Sequence, residues 1–568
     1  MKAELGEQYD IITLTTNIID FLRDGNISLN KIAHSTFLLG AVQTYSTTRC
    51  KAALRTIFFQ TLVLCLTARK GMVIKMKFLK VISMTAAAAM LAATVSGCGS
   101  GETKKEAADK LPSDIYEINW YTQGTTQSDT PSVEAKINEY LKDKINATVK
   151  LHILDSSQYA QKVGTMINAG EYFDLAFCAS YLLDYKANAA NGAFLALDDM
   201  LDEYMPKTKE LLGEDFIDAA KINGKLYALP VNKEKAAQAG WLYRKDIADK
   251  YNINMNSIKS FDELEPYLLQ IQANEPDMKY PIDWKTDNTP LAFIQYELLA
   301  GPASVMYGKY DGKVVNFYET EEYEQACRTS RKFFEDGLIK KDIMTSSDFK
   351  QRIQEGKTFC CAYPLKPGKA KEISKDYKFE MSQAEVTPVI EDNQAATGAM
   401  LAISRTSKNP ERTARFLELL NNDEYLYNLV LYGIEGKHYS LTENGQVKLM
   451  PQSSYTLSGS EWMFGNVFLA KLKEGEDPNK MENLKAFNNQ AEKPLYYGFN
   501  FDSSSVDLEA AACKKVISQY NRQAVLGAMD PDTVLPEFRS KLKEVGADKV
   551  IAEAQKQYDA FLAEKNKK

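Results

Sequence analysis

The sequence is poor in the residues that most reaction chemistry needs. It has three histidines in 568 residues, and only His152 and His438 lie beyond Cys98. His152 sits in an alternating run, where a packed or surface imidazole is expected rather than a base. No Gly-x-Ser-x-Gly elbow, no His-x-x-x-His or Cys-x-x-Cys spacing and no phosphate-binding loop occurs. Triad hydrolysis, the common metal sites and ATP hydrolysis therefore have no motif to rest on. Neighbouring carboxylates such as Asp198 and Asp199, or Asp530 and Asp532, read as helix or loop surface, whereas a glycosidase needs two carboxylates facing one cleft. No catalytic residue, metal or cofactor is assigned.

Cysteine pairing is missing as well. Of eight cysteines, Cys50 and Cys65 precede residue 76, and beyond Cys98 the set Cys178, Cys327, Cys360, Cys361 and Cys513 is odd in number. It lacks the spacing of a disulfide scaffold. Cys178 lies in an apolar run and reads as a small buried hydrophobe. There is no long basic run after the first hundred residues and the net charge is −7, so nucleic acid is not an expected partner.

What is present begins at residue 76. Lys77 and Lys80 form a basic head, Val81 to Val95 is almost wholly apolar, and Ser96 and Gly97 precede Cys98. This is the layout of a secretory signal peptide. At about 15 residues the apolar run falls short of the ~20 that span a bilayer. Val95-Ser96-Gly97-Cys98 is similar to a bacterial lipobox, which assigns Cys98 as the lipidated residue. Residues 98–114, rich in Gly, Ser, Lys and Glu, read as a flexible tether. Residues 1–75 precede this leader, and the expectation is a start assigned too early, with Met72 or Met76 as the true beginning.

Downstream, 45% hydrophobic residues and a chain long enough for two or three domains at ~100–200 residues each predict ordinary packed cores. Ile115 to Thr122 reads as a first strand, followed by the polar loop Gln123 to Thr130 and a helix from Pro131 to Ile145. Strand, helix and strand follow at Ala147 to Leu154, Ser157 to Ala169 and Phe173 to Cys178. That alternation predicts a parallel sheet, whose ligands would sit at the carboxyl ends of the strands. Asn223-Gly224 predicts a hairpin turn between two short strands. Val231 to Gly240 reads as a polar crossing into a second lobe that starts with the strand Trp241 to Arg244. Ser260 with Glu263 predicts a capping box, and Glu321 to Asp336, Glu411 to Leu420, Pro531 to Gly546 and Asp548 to Asn566 carry helical periodicity.

The order of four segments resembles the extracellular solute-binding proteins of ABC importers, family 1, the sugar-binding lipoproteins. They are Gly192 to Asp199, Asn223 to Pro230, Leu242 to Asp246 and Ser404 to Arg412, and the resemblance spans about Ile115 to Tyr432. Tyr432 to Tyr439, Phe464 to Asn466, Gly498 to Asp502 and Glu553 to Gln557 resemble the domain of unknown function DUF3502 found in LipO-type members. The extension before the leader departs from the family pattern.

The resemblance implies an α/β, two-lobed periplasmic-binding-protein-like fold of type II with a mostly helical C-terminal extension. Lobe 1 is expected over 115–232 and 390–432, lobe 2 over 233–389 and the extension over 433–568. It implies a monomeric, lipid-anchored protein on the extracytoplasmic face of the cell membrane that captures a carbohydrate, an oligosaccharide by preference, and passes it to ABC permease subunits. A cell-surface glycan hydrolase and a binder of peptides or other small solutes are the alternatives.

A sugar needs aromatic platforms and short polar groups. The candidates are Trp120, Tyr121 and Gln123 at the end of the first strand, Tyr181 after the third, Glu234 and Trp241 at the crossing, Trp284 in a polar loop, Tyr363 at a strand end and Trp462 in the tail. Trp120 and Tyr121 face opposite ways in a strand, so one of them belongs to the core. For Glu234 the competing role is a solvated hinge charge.

Overall fold

A computed structural model describes residues 114–284, 289–375 and 377–567. The expected leader, lipobox and Cys98 lie outside them. In chain order, lobe 1 opens with β1 (Tyr116–Gln123), α1 (Thr130–Ile145), β2 (Ala147–Leu154), α2 (Ser156–Ala169) and β3 (Leu175–Cys178), and later β4 (Leu229–Pro230). The alternation of β1 turns Ile118, Trp120 and Thr122 inward and leaves Glu117, Asn119 and Tyr121 on the other face. α1 stops at Asn146 and α2 at Gly170, both left-handed caps that return the last carbonyls to backbone N–H groups.

Lobe 2 contains β5 (Ala236–Arg244), α3 (Phe261–Asn274), β6 (Tyr296–Ala300), β7 (Ala303–Met306), β8 (Val315–Asn316), α4 (Glu321–Glu335), β9 (Cys360–Leu365) and β10 (Met381–Glu385). β5 is its spine, pairing antiparallel with β9 on one side and β10 on the other. Gly240 lies where the three backbones come closest: a Cβ there would stand 2.2 Å from the Ala384 carbonyl oxygen. At α3, Ser260 accepts from the Glu263 N–H, while the Glu263 carboxylate accepts from Lys259 rather than from Ser260 itself. The β6, β7 and β8 sheet has short strands that carry no long alternation, and its signal in the sequence is the Asp311-Gly312 turn between β7 and β8.

The chain returns through β11 (Ile390–Glu391) to β12 (Met400–Ile403), α5 (Pro410–Asn422) and α6 (Glu424–Tyr432). Lobe 1's sheet has the order β2-β1-β3-β12-β4. It is mixed rather than purely parallel, since β12 runs antiparallel to β3 and β4. Asn223 and Gly224 do form the tight turn, with φ of 51° and 76°, but the flanks join only as the single bridge Ile222 to Lys225.

The region 433–568 does not form a unit of its own. Its first part, with β13 (Tyr439–Leu441), β14 (Val447–Leu449) and α7 (Lys480–Asn489), adds Tyr455, Phe464, Leu484 and Phe487 to the lobe 1 core. Its second part, α8 (Asp507–Val525), α9 (Pro531–Glu544) and α10 (Ala547–Lys565), adds Val525, Leu535 and Phe538 to the lobe 2 core. The chain therefore crosses between lobes three times, near residues 231–236, 386–392 and 490–501. β11 pairs with the start of β5, and the Glu391 N–H donates to the Glu492 carbonyl at 2.9 Å.

Candidate functional site

The lobe 1 sheet places the ends of β1, β3 and β4 and the start of β12 at one edge: Met400 pairs with both Cys178 and Pro230. From this edge leave the loop after Gln123, the loop carrying Tyr181 and the first crossing. Tyr181 is 64% exposed. Gln123, half-buried, ends β1 in register with Leu154.

The C-terminal extension supplies a second aromatic residue at this edge. Trp462 packs edge-on against Phe177 of β3, with centroids 5.7 Å apart, and keeps part of its ring exposed. Four residues on, the Asn466 side-chain oxygen accepts from Asn232 Nδ2 at 2.9 Å, fixing this segment to the first crossing. Asn488 at the end of α7 grips the same crossing, accepting from the Lys235 N–H at 2.9 Å and donating to the Lys233 carbonyl at 3.0 Å.

Across the crossing, Glu234 Oε1 and Lys366 Nζ are 3.5 Å apart. Burial pushes the Glu234 carboxyl up, and the Lys366 and Lys233 ammonium groups outweigh it, so its pKa falls below the ordinary value. Tyr363, at the end of β9, lies under the Lys369 ammonium at 6.0 Å. Gln383 ties this corner together, donating to the Lys366 carbonyl and accepting from the Ala370 N–H. Lys366 went unnoticed in the sequence, although Lys366-Pro367-Gly368 directly after a strand is the signal that could have found it.

The other tryptophans are not at this site. Trp120 fills the lobe 1 core against Phe416 and Phe464, and Tyr121, on the opposite face, stacks on His152 at 4.2 Å. Trp241 donates to the Ile258 carbonyl and packs edge-on to Phe261 and Phe293 in lobe 2. Trp284 stacks on Phe333 in the same core. All three are buried, at 1%, 0% and 2% exposure, and present no ring face to a ligand. Asp283, the described charge beside Trp284, is itself buried and accepts from Arg352 Nε at 2.6 Å. Burial raises the Asp283 pKa despite that guanidinium.

Another buried carboxylate faces the crossings. Glu297 of β6 is 9% exposed, and its Oε2 has no partner among the described residues. Burial raises its pKa to about 7, with Lys186 and Asn393 pulling it down and Asp392 pushing it up.

The histidines are committed. His152 Nε2 lies 3.0 Å from Asn119 Oδ1, and both nitrogens of His438 are in hydrogen bonds. Among the described residues no His, Cys, Asp and Glu cluster has metal-ligand geometry, and Cys178, Cys327, Cys360, Cys361 and Cys513 form no disulfide and are buried. The arrangement can hold a neutral, hydroxyl-rich ligand between a ring and hydrogen-bonding groups.

Residues 135–433 match the family model of bacterial extracellular solute-binding proteins. The chain belongs to that family. Residues 495–563 match the domain of unknown function DUF3502. A carbohydrate ABC transporter substrate-binding protein of Streptococcus pneumoniae is 30% identical over 493 residues, 85% of this chain and 98% of the relative. The crystal structure of the N-glycan transport solute-binding protein NgtS from the same species superposes with a TM-score of 0.71 at 29% identity, covering 80% of this chain and 100% of that one. For NgtS in complex with Man5GlcNAc the TM-score is 0.63, covering 80% and 99% of the two chains. Lipoprotein LipO of Bacillus subtilis is 21% identical over 379 residues, 62% of this chain and 73% of LipO. The streptococcal relatives are named as binding proteins, and the family assignment makes this chain an extracellular solute-binding protein of the two-lobed kind. Among the described residues no helix is long and apolar enough to cross a membrane.

Proposed function

We propose that this protein captures an oligosaccharide between its lobes and delivers it to an ABC importer, without enzymatic turnover. The carrying observation is Trp462, the one tryptophan with an accessible ring, held at the carboxyl edge of the lobe 1 sheet. An aromatic face offers a sugar's apolar side the contact that hydroxyls alone do not. Gln123 and Tyr181, whose loops leave the same sheet edge, and Glu234 and Tyr363 at the crossing corner are the polar and aromatic groups assigned to the cleft. The carbohydrate-transport names of the streptococcal relatives support this reading, and glycans of the N-linked type are the ligand class they favour. Ligand shifts the lobes by its differential affinity for the closed arrangement.

Anchoring through lipid on Cys98 is part of the same proposal, supported by the lipobox-like Val95 to Cys98 and by the lipoprotein relative. Two lipid chains suffice for stable attachment where one is marginal. Mass spectrometry of the membrane-extracted protein should find a mature chain beginning at acylated Cys98.

A thermal-shift screen against oligosaccharides and peptides tests the ligand class. A ligand at 100 times its Kd stabilises the native state by about 2.7 kcal/mol. Man5GlcNAc and related glycans are expected to raise the melting temperature. A peptide that does so while no oligosaccharide does, or new reducing ends in the incubated glycan, would overturn the proposal.

A further inference from the structure

Asp129 ends the loop that leaves β1 at the cleft edge, and nearly everything that fixes it comes from the C-terminal extension. Its Oδ2 lies 2.5 Å from Lys437 Nζ and 2.8 Å from His438 Nε2. Its Oδ1 accepts from Ser132 at 2.5 Å. Those three partners, Lys437 first, hold the carboxyl far below the usual range. The Asp129 N–H donates to the Ser454 carbonyl at 3.2 Å, and Gln127 Oε1 accepts from the Thr456 N–H at 3.3 Å. The loop between carries Thr125, Thr126 and Ser128, all exposed, the short hydroxyl groups that pair with a sugar's own.

His438 is built for this contact. It is fully buried, and its Nδ1 accepts from the Ile434 N–H at 2.9 Å, which leaves Nε2 protonated and donating to Asp129. Gly433 makes the room: a Cβ there would stand 2.4 Å from Nδ1. A donor locked by its own backbone gives Asp129 one position rather than several, and the entropy of ordering the loop is then met before ligand arrives.

We infer that Asp129 and His438 are positioning residues that set the conformation of loop 124–130, so that the extension, through them, determines which glycan binds and how tightly. The inference rests on the carbohydrate reading of the cleft. It gives residues 433–457 a part in recognition that fold-building does not require.

Calorimetric titration of the purified protein with Man1GlcNAc and with Man5GlcNAc tests it, alongside melting temperatures. Asp129→Asn, which removes the charge and leaves one acceptor oxygen where Ser132, Lys437 and His438 share two, should weaken binding tenfold or more and change the ratio of the two affinities. His438→Gln, whose amide can donate to Asp129, should recover most of the loss seen in His438→Ala. Lys448→Met, which breaks an exposed pair with Glu474 on the same segment, should bind as wild type. Wild-type affinity and ratio in both Asp129→Asn and His438→Ala would overturn the inference. So would an equal loss for both glycans that tracks the fall in melting temperature. If the unaltered protein binds neither glycan, the carbohydrate reading fails separately. Amide exchange of residues 124–130 in the free protein then decides: faster in Asp129→Asn supports positioning, and unchanged refutes it.

Discussion

The Glu234 carboxylate and the Lys366 ammonium stand 3.5 Å apart, one on the first crossing and the other just past the end of β9. Both are about one-third exposed, so the pair contributes little to stability, about 0–1 kcal/mol. Glu234→Gln should accordingly leave the melting temperature near wild type while weakening glycan binding several-fold, read by calorimetry. Because its partners hold the Glu234 pKa below the ordinary value, the pair contributes above the unfolded-state pKa and is lost as pH falls through the folded one. Binding should be unaffected by pH on this account near neutrality.

Trp462 should report the ligand directly. With the other three tryptophans buried, the ligand-induced change in tryptophan emission is expected to vanish in Trp462→Phe while binding persists. Trp462→Ala should lose about tenfold in affinity, the ~1.4 kcal/mol that an aromatic contact can supply. An undiminished emission change in Trp462→Phe would remove Trp462 from the site.

Glu297 predicts a pH dependence of stability. Folding raises its pKa to about 7 from the ~4.3 of an unfolded chain. Between these values the native state holds more protons, so stability falls as pH rises, by at most ~1.4 kcal/mol per pH unit. Chemical denaturation at pH 5 and pH 8 should show this loss in wild type and a flatter profile in Glu297→Gln. Parallel profiles would show that Glu297 is not the group responsible.

Gly527 tests the docking of the DUF3502 segment. It has a φ of +69°, and a Cβ would stand 2.2 Å from the Ser330 carbonyl oxygen of α4. Gly527→Ala should cost about 1–3 kcal/mol from backbone strain alone, with faster amide exchange in α4, α8 and α9. No change in stability would mean that the turn does not pack on α4 as described.

The sequence made the regular elements legible where one periodicity ran long enough. Residues 147–154 alternate as a strand should and are β2, and the helix after Asn409 is α5, with Asn409 as its cap. The candidate site was legible only in part. Trp120 and Tyr121 had to face opposite ways, and Trp120 is the core residue. At Trp284 a charge near a ring does not mean solvent, because the neighbouring Asp283 is buried and paired with Arg352. Glu234 gained its partner, Lys366, from a point 132 residues further on, a separation that no local pattern encodes. The division of the extension between two cores was equally hidden, because amphipathic helices declare an apolar face but not the surface it covers.

The three crossings bear on how this gene can be cut. A fragment ending at residue 433, where the solute-binding family match stops, would strip Tyr455 and Phe464 from one core and Val525 and Phe538 from the other. It would also lose Asn488, which grips the first crossing. One continuous tail completes both lobes. Expression of the shorter piece should yield aggregate rather than a minimal binder, and domain borders drawn from family matches are the wrong ones for truncation, fusion or sensor building.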